Sequence, residues 1–128
     1  FFDHKRIIHV VGSTGGGRDV SRRPKLGRIS AECADMTIVT NEDPYDDDPQ
    51  EIIDQVAAGA LEVGSKEGEE LYKILDRPKA INKAISLANK GDIVLITGKG
   101  SEPVMMVKNG KTIPCDDRKE ARKALHKL

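Results

Sequence analysis

At 128 residues the chain is long enough to bury one real core and too short for two ordinary domains, so it reads as a single unit over 1–128. Its 38% hydrophobic and 33% charged residues, with apolar runs at regular intervals, exclude disorder, and 21 basic against 21 acidic residues leave no basic excess for nucleic acid. Cys33 and Cys115 lack metal-ligand or disulfide spacing, no apolar stretch nears the roughly 18 residues that cross a bilayer, and no signal segment opens the chain; a cytoplasmic protein without a membrane partner is expected.

In chain order, Ile7-Ile8-His9-Val10-Val11 is a short, largely β-branched run stopped by Gly12, the pattern of a strand buried on both faces. Leu26, Ile29 and Cys33 then recur at helical spacing behind Pro24, which predicts a helix with those residues inward. Met36 to Thr40 repeats the buried-strand pattern before the polar, acidic stretch Asn41 to Asp48. Ile52, Ile53, Val56 and Ala60 make one apolar face of a second helix opened by Pro49. Leu71 to Leu75 reads as a short strand, and Asp76 caps a third helix striped by Ala80, Ile81, Ala84, Ile85 and Ala88, with Gly91 as its stop. Ile93 to Ile96 has the composition of the most buried strand of all. Val104 to Val107 and Lys111 to Ile113 flank Asn109-Gly110, predicting an antiparallel hairpin that closes the sheet's edge. Asp116 or Asp117 caps a last helix with Ala121, Ala124, Leu125 and Leu128 inward.

Strands alternating with helices imply right-handed crossovers and a Rossmann-like α/β fold: a mostly parallel sheet, helices on both faces, and a C-terminal antiparallel hairpin. Ligands of such sheets lie beyond the carboxyl ends of the strands. Three loops leave those ends, and they hold the chain's most unusual residues. Gly12 to Asp19 is rich enough in glycine to bring backbone N–H groups to an anion, although a flexible turn explains it equally. It carries neither a dinucleotide fingerprint nor a P-loop. Arg18, Arg22, Arg23, Lys25 and Arg28 add positive charge suited to carboxylate or phosphate, with a solvated basic face as the alternative. Asp43, Asp46, Asp47 and Asp48 give the opposite sign, suited to an ammonium group or to turn and cap chemistry. Gly98-Lys99-Gly100-Ser101-Glu102 follows the fourth strand. Basic and acidic loops on one rim suit a zwitterion such as an amino acid. His4, His9 and His126 form no triad and have no metal-ligand spacing, so no catalytic or metal residue is assigned.

Val11 to Asp19, Arg23-Pro24 with Gly27, Thr40 to Pro44, Asp48-Pro49, Asp76-Arg77, Gly98-Lys99-Gly100 with Glu102, and Asp117-Arg118 together resemble, in order and spacing, the C-terminal domain of the Mur amide ligases. The likeness is to those that add a diamino acid to a UDP-N-acetylmuramoyl-dipeptide in peptidoglycan synthesis. It implies ligation with ATP and Mg2+, in which the peptide carboxyl is phosphorylated and the incoming amine attacks the acyl phosphate. The ATP is held mainly by a central domain, the partner of this one, which these 128 residues do not include. The chain is therefore expected to be a fragment that folds but neither hydrolyses ATP nor ligates alone. By the same resemblance Arg18 meets the amino acid's carboxylate, Gly98 and Glu102 hold the far end of its side chain, and Asp43 and Tyr45 belong to the selecting motif. Arg22 or Arg23 faces ATP phosphates on domain closure. The diaminopimelate-adding enzymes carry Asp-Asn-Pro-Arg where this chain has Glu42-Asp43-Pro44-Tyr45. Losing that arginine removes a partner for a second carboxylate, so lysine is expected over meso-diaminopimelate. Ser101 replaces a common His. A sister ligase of the cyanophycin- or folylpolyglutamate-synthetase type would keep the fold, and a non-catalytic Rossmann-like binding module would fit the missing ATP site.

Overall fold

The computed structural model of the chain describes residues 5–17, 19–98 and 103–128. Four parallel strands, β1 (Ile7–Val11), β2 (Met36–Thr40), β3 (Leu71–Ile74) and β4 (Ile93–Ile96), form one sheet in the order β3-β2-β1-β4. Strand side chains alternate between faces. Ile8, Val10, Met36 and Ile38 therefore pack beneath α3 (Arg77–Leu87) and α4 (Asp117–His126), meeting Ala80, Ile81, Ala84, Ile85 and Ala124. On the opposite face Val11, Val39 and Leu71 meet Ile52, Ile53, Val56 and Ala60 of α2 (Pro49–Glu62), with Leu26 of α1 (Arg22–Cys33) alongside. Helices on both faces of a mostly parallel sheet are the expected architecture. Asp48, Asp76 and Asp116 cap α2, α3 and α4, each accepting backbone N–H groups of the first turn.

Four expectations are corrected. Ile93 to Ile96 is an edge strand, and Leu95 is 47% exposed, because α1 and α2 lie over β2 and β3 and leave that face bare at β4. The fully buried strand is β2, threonines included. On α1, Ile29 and Cys33 face outward while Arg23, Gly27 and Ser30 face inward. The reason is a backbone-to-backbone crossing: a Cβ on Gly27 would fall inside the shell of the Val56 carbonyl, and one on Gly59 inside that of Pro24. Apolar knobs on α1 have no room at that crossing, so Ile29 and Cys33 turn out while Leu26 packs beside it. On α4, Ala121 and Ala124 pack inward, whereas Leu125 and Leu128 are exposed because the small residues let α4 lie close on α3.

The last correction concerns the hairpin. β5 (Val104–Met106) and β6 (Thr112–Pro114) pair antiparallel around Asn109-Gly110, both at positive φ, as that dipeptide favours. They form a separate two-stranded sheet instead of closing the edge of the larger one. Their anchor is the loop after β2: Met106 N–H donates to Asp43 Oδ1 at 2.8 Å, Tyr45 N–H to the Met106 carbonyl at 3.2 Å, and Asn109 N–H to Asp46 Oδ1 at 2.7 Å. Among the described residues no helix is long and apolar enough to cross a membrane.

Candidate functional site

The exits of β1, β2 and β4 surround a cavity of about 350 Å3. Gly12, Ser13 and Thr14 bring backbone to it from β1; Asp19 and Arg22 stand where α1 begins; Glu42 enters from the loop after β2; Thr97 and Gly98 close it after β4. Gly12 is required by crowding, since a Cβ there would lie 2.6 Å from the Thr40 carbonyl oxygen. Gly98, at φ +108°, has its empty side filled by the Glu42 carboxyl, whose Cδ would lie 2.6 Å from an added Cβ. Glu42 itself is 7% exposed. The cavity thus carries an acid at its floor and both signs of charge at its rim. Asp19, hydrogen-bonded by the Ser21 hydroxyl and backbone N–H and close to Lys25 and Arg22, is held below the usual carboxylate range and stays ionised.

The expected site residues separate on inspection. Gly98 and Arg22 line the cavity. Asp43 does not: at φ +29° its carboxylate turns to Met106 N–H, and its carbonyl accepts Gly15 N–H at 3.0 Å. Tyr45, at φ +53°, lays its ring against Gly16 and is 39% exposed. Neither side chain lines the cavity, and Glu42 is the residue of this loop that does. Arg23 is 4% exposed and engaged inside, donating from Nη1 to Gln55 Oε1 at 2.7 Å and from Nη2 to Asp47 Oδ2 at 3.2 Å. It stitches α1 to α2 and to the acidic loop, which leaves Arg22 as the exposed arginine of the pair. Arg18 and Glu102 lie outside the described residues.

Two polar groups beneath the rim have no role in the sequence reading. Arg77, 1% exposed, donates from Nε and Nη2 to the Asp117 carboxylate at 2.8 Å each, from Nη1 to the Asn41 carbonyl and from Nη2 to the Thr97 carbonyl at 3.0 Å each. Burial alone would lower its pKa, but hydrogen bonding and charge from Asp117, with Glu42 adding, outweigh it and the net shift is upward. His9 touches Ser30 Oγ through Nδ1 at 2.8 Å and Thr97 Oγ1 through Nε2 at 2.9 Å, and Ser30 in turn meets Thr37 Oγ1 at 2.8 Å. Burial lowers the His9 pKa below its ordinary value. The adjacent pairs Asp76-Arg77 and Asp117-Arg118 were the only signal for Arg77, and they say nothing of where its guanidinium points. No group of three or more His, Cys, Asp or Glu side chains among the described residues is arranged to hold a metal ion.

A family model described as Mur ligase, glutamate ligase domain, matches residues 1–100. A UDP-N-acetylmuramyl-tripeptide synthetase of Treponema denticola is 48% identical over 120 residues, 94% of this chain and 22% of the relative. A UDP-N-acetylmuramoyl-L-alanyl-D-glutamate--2,6-diaminopimelate ligase of Nitrosomonas europaea is 42% identical over 96% of this chain and 22% of its own length. A solved structure of an enzyme with that diaminopimelate ligase name superposes with a TM-score of 0.80 at 32% identity, over 95% of this chain and 24% of that one. The chain therefore spans under a quarter of the length of these proteins.

Proposed function

The chain belongs to the Mur ligase family, as its C-terminal domain, and from that premise we propose that it is the amino-acid-holding wall of a ligase that joins a diamino acid to UDP-N-acetylmuramoyl-dipeptide. Lysine is the amino acid favoured over meso-diaminopimelate. The observation that carries the reading is the Glu42 carboxyl at the cavity floor, with Asp19 and Arg22 at the rim. An ammonium gains a partner there, whereas a second carboxylate would meet like charge in a partly desolvated place. No arginine stands at Tyr45 to relieve that repulsion, and the Tyr45 ring is engaged with Gly16. Arg18 for the carboxylate and Glu102 for the far end of the side chain extend the same reading.

In this scheme the domain's contribution to rate is placement: it holds the attacking amine and excludes water, while the reacting phosphates lie on the opposite wall. Arg22, exposed at the start of α1, is suited to meet ATP phosphates on closure; Arg23 is not, being held by Gln55 and Asp47. ATP with Mg2+ would supply the phosphoryl group that activates the dipeptide's carboxyl, and among the described residues no group of three or more His, Cys, Asp or Glu side chains is arranged to hold a metal ion. The test is ATP-dependent ligation by the full-length protein carrying this chain, with lysine and meso-diaminopimelate compared by kcat/KM. Lysine should win by about tenfold or more, the scale of one unpaired charge; a strong preference for meso-diaminopimelate overturns the assignment.

A further inference from the structure

β2 and β4 are not neighbours in the sheet, because β1 lies between them. No ladder hydrogen bond therefore sets the exit of one against the exit of the other, yet the two exits deliver Glu42 and Gly98, which touch across the cavity. A direct tie between them is a side chain from below. Arg77, in the first turn of α3, reaches the carbonyl of Asn41, immediately before Glu42, and that of Thr97, immediately before Gly98, each at 3.0 Å. Asp117, at the start of α4, grips the same guanidinium at 2.8 Å through both oxygens. Asp116 caps α4 alone, which frees Asp117 for this task.

We propose that Arg77 is a positioning residue for the amino-acid site: its guanidinium, bridging the Asn41 and Thr97 carbonyls and held by Asp117, keeps Glu42 seated against Gly98 at the cavity wall. A planar fork with its donors in fixed directions can span two carbonyls and a carboxylate at once. A lysine ammonium keeps the charge but is a single point, and cannot hold both carbonyls at that separation. Thr97 is fixed from its other side by His9, so the β4 exit is clamped at both carbonyl and hydroxyl. The proposal rests on the amino-acid reading above for the identity of the ligand, though not for the existence of the tie.

The experiment uses the full-length protein carrying Arg77→Lys and, separately, Asp117→Asn, which keeps the side chain's shape while weakening the anchor. Arg77→Lys should raise KM for the amino acid about tenfold or more and leave KM for ATP within about twofold, since only the amino acid is placed by the Glu42–Gly98 contact. Amide hydrogen exchange should quicken at 41–43 and at 97–98 together, with Asp117→Asn giving the same pattern more weakly. A variant that folds and loses thermal stability with both KM values unchanged, or one in which every KM rises alike, overturns the proposal. Should the wild type fail to ligate any amino acid, the functional reading falls, and exchange still decides the tie: unaltered exchange at both segments in whichever variant folds refutes it.

Discussion

Replacing Gly27 by Ala sets two effects of opposite sign against each other. An alanine in a helix interior is favoured over glycine by about 1 kcal/mol. Against this, the new Cβ would lie 2.9 Å from the Val56 carbonyl carbon and 3.2 Å from the Ala60 nitrogen, with the Val56 oxygen nearer still, where ordinary contact begins at 3.4 Å. The obstructing atoms are backbone, so no side chain can swing aside; α1 and α2 must separate. Overpacking of that kind costs about 1–3 kcal/mol, and the rigid obstacle places it at the upper end. The net expectation is a loss of about 2 kcal/mol, or a fall in Tm of about 6–10 °C for a chain of this size. Thermal melting of the isolated chain, followed by far-ultraviolet circular dichroism, reads it directly. A rise in Tm, or none, would show that helix propensity wins and that the crossing is looser than these distances imply.

Glu42→Gln should raise KM for lysine about tenfold to a hundredfold in the full-length protein while Tm moves little; equal KM values for variant and wild type would remove Glu42 from the site. His9, whose folded pKa lies below the ordinary 6.5, binds fewer protons folded than unfolded between those two values. Its contribution to stability is therefore full above pH 6.5 and is lost as the pH falls from there through the folded pKa. His9→Gln should flatten the stability profile on the acid side of neutrality, and parallel profiles for the two proteins would contradict this.

The order of elements was legible because each helix is punctuated by chemistry that acts locally, as with Asp48-Pro49, Asp76 before α3 and Asn109-Gly110 in the hairpin. That glycine-bearing and acidic loops share one rim followed from topology alone. What sequence could not rank was burial: Met36-Thr37-Ile38-Val39-Thr40 is less apolar than Ile93 to Ile96, yet it is the buried one. Thr37 pairs with Ser30, and that partner is visible only in three dimensions. Nor could it tell Glu42 from Asp43. The positive φ of Asp43 sends adjacent acids to opposite sides of the loop, one to the cavity and one to the hairpin. Arg77 escaped notice because a basic residue at a helix start ordinarily reads as solvated, and its four hydrogen bonds come from segments 20 to 40 positions away.

The β5–β6 hairpin stands apart from the main sheet and leans on the segment that presents Glu42. Anyone exchanging this loop for another would have to move residues 41–48 and 104–114 as a pair. Transplanted singly, either piece would meet a stranger in place of the Asp43–Met106 and Asp46–Asn109 latches. Loop and hairpin thus make one two-part unit fastened to the outside of the core.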